Sequence, residues 1–242
     1  MASVLDEAIV LCGGLGTRLR TVVSDVPKPM APVAGRPFLE YLLEFLRREG
    51  VGRAVLAVGY KREVIMDHFG TAWDGLRIDY VVEEEPLGTG GGARLGAAAL
   101  EGPAGLLLNG DSFLARPLAP LAQAMDAGAD IVLTVRPEPD TGRFGVCRVQ
   151  GGRITGFGPG QAGRPGLINA GVYALRRDLF DAFDLPQRFS FETDLLAAQI
   201  GSLRALAVVA DEPFIDIGLP ESYALAQSFV PEIHQHAPGD RK

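Results

Sequence analysis

Short, β-rich apolar runs recur along this chain with amphipathic stretches between them, and that alternation limits its fold more than any other feature. The runs fall at 8–12 (AIVLC), 53–58 (RAVLAV), 77–82 (RIDYVV), 104–109 (AGLLLN) and 130–135 (DIVLTV). Between the first two, PFLEYLLEFLRREG at 37–50 sets Phe38, Leu42, Phe45 and Leu46 on one helical face and stops at Gly50. Strand then helix, repeated, predicts right-handed crossovers and a largely parallel α/β sheet covered on both faces. After residue 140 the rhythm changes. FGVCRV and RITGF flank Gly151–Gly152 as a hairpin, LINAGVYAL reads as a further strand, and this half reads as a small lobe on the sheet's far side. A last helix, PESYALAQSFV, leads into a polar tail at 231–242 that is expected to fray.

In open parallel sheets, ligands bind beyond the carboxyl ends of the strands. Three unusual segments each follow a strand directly: GGLGTR after the first, EEEPLGTGGG after the third and GDS after the fourth. Parallel strands place all three on one edge, and that edge is the expected site. Residues 11–32 suit phosphate. The glycines admit close approach of backbone amides, and Arg18 and Lys28 bring positive charge. The segment lacks GxxxxGK[ST], and Leu19 stands where GxGxxG needs its third glycine, so neither common nucleotide motif applies. Gly90, Gly91 and Gly92 open an Ala-rich helix, where each interior glycine costs roughly 1 kcal/mol against alanine. They predict a flat or anionic guest such as a nucleobase, with tight helix-on-sheet packing as the alternative. Asp111, after LLLNG, and Asp216, in PFIDIG, read either as ligands of a divalent cation or as turn and cap residues.

Composition narrows the partners. A formal charge of −7 argues against nucleic acid and acidic membrane surfaces. Cys12 and Cys147 are too few for a disulfide framework and read as buried small hydrophobes in a cytoplasmic protein. No apolar run approaches the roughly 20 residues that cross a bilayer. His68, His234 and His236 fall in no motif and read as surface residues.

In order and spacing, GGLGTRL, PKPM, EEEPLGTGG, NGD, INAG, FETDLL and DIG resemble the sugar 1-phosphate nucleotidylyltransferases over nearly the whole chain. Within that family the chain looks most like the guanylyltransferases acting on D-glycero-D-manno-heptose 1-phosphate or mannose 1-phosphate. The resemblance implies a Rossmann-like three-layer α/β/α fold with a small sugar-binding β lobe. It implies one nucleotidyltransferase domain over 1–230, its 1–140 part mainly nucleotide-binding and its 141–230 part mainly sugar-binding. A nucleoside triphosphate, Mg²⁺ and release of pyrophosphate are implied with it, as is a role in surface glycan assembly; a homo-oligomer is left open. Carried over by position, Leu11, Gly13, Gly14, Gly16 and Thr17 bind the nucleotide, and Arg18 faces the departing pyrophosphate. Lys28 contacts the α-phosphate and the sugar phosphate, while Asp111 and Asp216 share the metal. Glu83, Gly88 and Thr89 lie with the base, and Gly145, Asn169 and Glu192 line the sugar pocket.

The chemistry agrees with that inventory. An ionised sugar phosphate is already a nucleophile, so no general base is needed, and no motif histidine or cysteine is present. What the reaction needs is relief of repulsion between polyanions, and alignment. Guanine offers two adjacent donors to an acceptor-only glutamate, which points Glu83 to GTP; relatives that use UTP share much of this scaffold. One departure stands out: the family's glutamate and lysine after the strand resembling RITGF are absent from GFGPGQAGRPG, leaving Arg164 or Lys28 alone for the sugar phosphate. A nucleotide-sugar glycosyltransferase is disfavoured because Asp111 is followed by Ser112 and Phe113 rather than by a second aspartate one residue on. A non-catalytic nucleotide-binding subunit is disfavoured by the intact set Arg18, Lys28, Asp111 and Asp216.

Overall fold

A computed structural model describes residues 5–14, 16–19 and 21–237. The chain runs through β1 (Glu7–Leu11), the short strands β2 (Pro32–Val33) and β3 (Arg36–Pro37), α1 (Phe38–Arg48), β4 (Arg53–Val58) and α2 (Arg62–Phe69). It continues through β5 (Ala72–Trp73), β6 (Leu76–Val82), α3 (Gly88–Ala98), β7 (Ala104–Asn109), β8 (Ser112–Leu114) and α4 (Ala119–Asp126). The second half holds β9 (Ile131–Glu138), β10 (Gly145–Gln150), β11 (Arg153–Pro159), β12 (Gly166–Arg176), a π-helical segment (Phe191–Ala197), β13 (Ala205–Val209), β14 (Phe214–Asp216) and α5 (Pro220–Gln235).

Ten strands form one sheet in the order β10-β11-β13-β9-β12-β7-β1-β4-β6-β5. Pairing is parallel from β6 through β4 and β1 to β7, as the strand–helix rhythm requires, and again between β9 and β13. The sheet as a whole is mixed rather than mostly parallel. Strand β12 enters between β7 and β9 and is antiparallel to each. Residues after 140 therefore supply an interior strand, and the hairpin β10–β11 extends the same sheet at its edge. The expected lobe on the far side is not separate, because a long apolar strand such as LINAGVYAL is more stable buried on two faces than capping an edge. Its turn residues do behave as read: Gly151 and Gly152 both have positive φ, the geometry of a two-residue hairpin.

Alternate side chains of the central strands enter two apolar cores. Ala8, Val10, Leu106 and Leu108 pack with Phe38, Leu42, Phe45 and Leu46 of α1, Leu121 of α4 and Ala226 and Val230 of α5. Ile9 and Leu107 pack on the opposite face with Ala93 and Ala97 of α3, Phe191 and Leu195. Cys12 and Cys147 are buried in these cores, as composition predicts, and desolvation pushes the Cys147 thiol up to about 12.

The end of the chain departs from expectation. Helix α5 continues through Pro231, and Ile233, His234 and Ala237 are buried where a frayed tail was expected. Ala226, Val230, Ile233 and Ala237 recur at helical spacing, and that seam outweighs the hydrogen bond lost at the proline. His234 is accordingly not a surface residue: its ring stands edge-on to Tyr41, 5.2 Å away, and its carbonyl accepts from Arg48 Nη1 at 3.0 Å. His68 and His236 are exposed. Residues 238–242 of the predicted tail lie outside the described residues. Among the described residues no helix is long and apolar enough to cross a membrane.

Candidate active site

The parallel strands end in register, Leu11 beside Asn109 and Ala57, and Ala57 beside Val81. The three segments that follow β1, β6 and β7 therefore meet at one edge. They surround a cavity of about 560 Å³, lined by Leu11, Gly13, Gly14, Gly16, Thr17, Arg18, Lys28, Glu83, Gly88, Thr89, Asp111 and Glu192 among the residues expected from sequence. A larger cavity of about 730 Å³ opens at the opposite edge, beside Ala104, Arg176 and Arg177; it has neither the glycine loop nor the paired carboxylates, and chemistry outranks size.

The basic loop is held by apolar anchors. Leu19, Met30 and Ala31 are buried, and the Leu19 amide donates to the Gly16 carbonyl at 3.0 Å. A short 3₁₀ turn, Lys28–Met30, carries Lys28 above the core. Lys61 Nζ ties down the middle of the loop by donating to the carbonyls of Ser24 and Asp25, each at 2.9 Å. Arg18 is exposed and has no ion-pair partner among the described residues.

Asp111 and Asp216 are brought together by strand pairing. Antiparallel β8 and β14 set Asp216 opposite Ser112, and the Ile217 amide donates to the Asp111 carbonyl at 2.9 Å. Sequence separation had hidden this contact. Each carboxylate is balanced by one cation: Lys28 Nζ on Asp111 Oδ2, Arg143 Nη2 on Asp216 Oδ2. The remaining Asp216 oxygen accepts from the Gly218 amide at 3.0 Å, and that of Asp111 accepts from Ser112 Oγ at 3.1 Å. Two hard oxygen ligands at the ends of paired strands fit Mg²⁺, which takes one or two carboxylates and completes its shell from water and substrate phosphate. No cluster of three or more ligating side chains occurs among the described residues.

The glycines of α3 have an internal explanation. A Cβ at Gly90 would stand 2.2 Å from the Phe189 ring, and one at Gly92 would stand 2.9 Å from Glu83 Oε1. The flat group against the helix is Phe189 and the anion is Glu83, so a nucleobase is not required to account for them. Glu83 is wedged between this helix and Gly13, whose Cβ would lie 2.2 Å from Oε1. Its other oxygen accepts from the Leu87 amide at 3.0 Å. Burial raises the Glu83 pKa, and the Leu87 hydrogen bond offsets only part of that shift. Thr89 Oγ1 donates to Glu192 Oε2 at 2.6 Å, which joins the start of α3 to the π-helical segment.

Gly145 and Asn169 do not line this cavity. Gly145 packs against Phe157, and Asn169 donates from Nδ2 to the hydroxyl of buried Tyr173 at 2.6 Å. Asp216 reaches the cavity only through its neighbours Gly218 and Lys28. Sequence reasoning missed Asn109 and Arg188, which line the cavity, and Arg143, which pairs with Asp216. Asn109 was readable from its place two residues before Asp111, in NGD. Arg188 stands outside every motif. Arg164 is exposed and is not among the residues that line the cavity.

A glycine loop, a lysine and two carboxylates gathered at the carboxyl edge of an α/β sheet define a nucleotide-handling protein of the phosphoryl-transfer kind. The chain belongs to the nucleotidyl transferase family, whose model matches residues 7–233. It is 40% identical to the D-glycero-α-D-manno-heptose 1-phosphate guanylyltransferase of Campylobacter jejuni over 218 residues, covering 90% of this chain and 96% of that one. It is 36% identical to the enzyme of the same name from Aneurinibacillus thermoaerophilus, covering 91% and 96%. The crystal structure of HddC from Yersinia pseudotuberculosis complexed with GMP-PN superposes with a TM-score of 0.80 at 32% identity, over 91% of this chain and 97% of that one.

Proposed function

We propose that this chain transfers GMP from GTP to a sugar 1-phosphate, D-glycero-D-manno-heptose 1-phosphate in the first instance, giving a GDP-sugar and pyrophosphate. The observation that carries this reading is the β8–β14 pairing, which brings Asp216 to Asp111, the carboxylate that Lys28 of the glycine loop meets. The likeness to two heptose 1-phosphate guanylyltransferases and to a structure solved with GMP-PN supports the substrates.

The sugar phosphate oxygen attacks the α-phosphorus of GTP while the bond from that phosphorus to the β-phosphate bridge breaks. Pyrophosphate carries away the bond's electrons. The nucleophile is already ionised, so the protein contributes position and charge rather than a base. Lys28 meets the α-phosphate, Arg18 the leaving pyrophosphate, and amides of Gly13, Gly14 and Gly16 the triphosphate. Asp111 and Asp216 would hold Mg²⁺, which when bound would supply charge neutralisation at the phosphates. Glu83 accepts the two guanine donors with Gly88 and Thr89 beside the base, and Glu192 borders the sugar side. In this assignment residues 1–140 mainly serve the nucleotide, residues 141–230 mainly the sugar, and the two helical layers complete a Rossmann-like plan. The product feeds surface glycan assembly from the cytoplasm.

Pyrophosphate release from each of the four nucleoside triphosphates, crossed with heptose, mannose and glucose 1-phosphates, tests the reading. GTP with the manno-configured heptose is expected to be turned over fastest and only with a divalent metal. A preference for UTP would remove the Glu83 argument, and no turnover with any pair would remove the activity.

A further inference from the structure

We infer that Arg143 is the binding residue for the phosphate of the second substrate, and that it guards Asp216 until that phosphate and the metal arrive. This rests on the guanylyl-transfer reading above. The two carboxylates of the site are matched by two cations, yet these cations come from opposite halves of the chain. Lys28 belongs to the nucleotide loop, whereas Arg143 belongs to the turn that enters β10. Asp216 is the bridge between them: Oδ2 takes Arg143, Oδ1 takes the Gly218 amide, and Lys28 Nζ lies 3.3 Å from where a Gly218 Cβ would stand.

The base of Arg143 is fixed, while its head, paired with Asp216, stays partly open to solvent. Thr141 is buried, its hydroxyl donates to the Arg164 carbonyl at 3.0 Å, and the Phe144 amide donates to the Thr141 carbonyl at 3.0 Å. The guanidinium lies 5.0 Å from the centre of the Phe144 ring, which packs edge-on against Phe214 of β14. Yet the Arg143 side chain is 40% exposed, and an ion pair so open to solvent is weak and exchangeable. A guanidinium presents a planar fork of donors that matches a phosphate in two hydrogen bonds, against the single one that Arg143 makes here through Nη2 to Asp216 Oδ2. The other cations at the cavity, Arg18, Lys28 and Arg188, are among the residues that line it, whereas Arg143 is not. In the GFGPGQAGRPG segment Arg164 gives its backbone carbonyl to Thr141, and it is Arg143, not Arg164, whose guanidinium pairs with Asp216. Arg143 is thus the cation placed beside Asp216 and outside the nucleotide cavity, where a second phosphate must approach the first.

Calorimetric binding to the full chain tests this, with Mn²⁺, inorganic phosphate, α-mannose 1-phosphate and GTP as separate probes on wild type, Arg143→Gln and Arg143→Lys. Arg143→Gln is expected to bind Mn²⁺ about twofold to fivefold more tightly, because Asp216 loses its competing cation. It is expected to bind both phosphate probes at least tenfold more weakly, and GTP within twofold of wild type. Arg143→Lys is expected to restore charge without the fork and to recover only part of the phosphate affinity. Unchanged phosphate affinity in Arg143→Gln, or no phosphate binding by wild type, would overturn the inference. The activity reading fails separately, by absence of pyrophosphate release from wild type while these binding differences persist.

Discussion

At the scale of single residues, the site works by placing charge where anions must crowd. Lys28 is set by a turn whose neighbours Pro29 and Met30 are buried, so its ammonium contributes without first being ordered. Replacing one preorganised donor of this kind typically costs on the order of 10²–10³ in turnover. Lys28→Ala is therefore expected to keep a wild-type melting temperature and lose activity by about that factor in a pyrophosphate assay; near-normal turnover would take Lys28 out of the mechanism. Glu83 differs because burial raises its pKa. Guanine needs the ionised acceptor, so GTP affinity is expected to fall on the acid side as Glu83 takes up its proton. Glu83→Gln is expected to lose about tenfold in GTP-over-ATP discrimination and to flatten that pH dependence, measured by nucleotide binding between pH 5 and 8. The cation on Asp216 escaped sequence reasoning because an arginine in a loop carries no sign of which carboxylate it will meet.

At the scale of elements, legibility followed periodicity. The strands at 53–58 and 104–109 were plain as short unbroken apolar runs, and helix α1 because 3.6-residue apolar spacing repeats in it. The α3 glycines were ambiguous, since sequence shows that a backbone is bare but not what lies against it; Phe189, almost a hundred residues away, supplies the answer. The C-terminal helix was cut short in the reading because a proline ordinarily ends one. Its seam continues instead, with Ile233 only 6% exposed. Ending the chain after Val230 is expected to destabilise the fold by about 1.5–3 kcal/mol for the lost Ile233 burial alone. Denaturant unfolding would register this as a lower midpoint, and an unchanged midpoint would mean that the last turns contribute nothing.

At the scale of the molecule, one sheet carries different clusters at its two edges: the proposed phosphate site at the carboxyl edge, an ion cluster at the amino edge. There Arg53 pairs with Glu7 and, at 2.6 Å, with Asp79, while Glu7 accepts from the amides of Glu101 and Gly102. Burial opposes ionisation of Glu7, but these hydrogen bonds and Arg53 outweigh it and hold its pKa below the usual range. A depressed carboxylate pKa contributes stability above its unfolded value and loses it as pH falls through the folded value. Acid titration of unfolding is thus expected to show stability falling below the ordinary glutamate range, with a shallower fall in Glu7→Gln; identical slopes would contradict the assignment. The mixed topology was not legible because insertion of β12 between β7 and β9 is a long-range choice, invisible to local spacing, although its apolar length was apparent.

The central claim is that phosphate oxygens of two substrates are gathered at one rim by Lys28, the glycine loop and the pair Asp111–Asp216. A crystal structure of the chain with Mg²⁺ and a non-hydrolysable GTP analogue tests it most directly. The account predicts the α-phosphate within hydrogen-bond reach of Lys28 and a metal ion bound by both carboxylates. A nucleotide seated elsewhere, or an ion that leaves either aspartate unengaged, would contradict it.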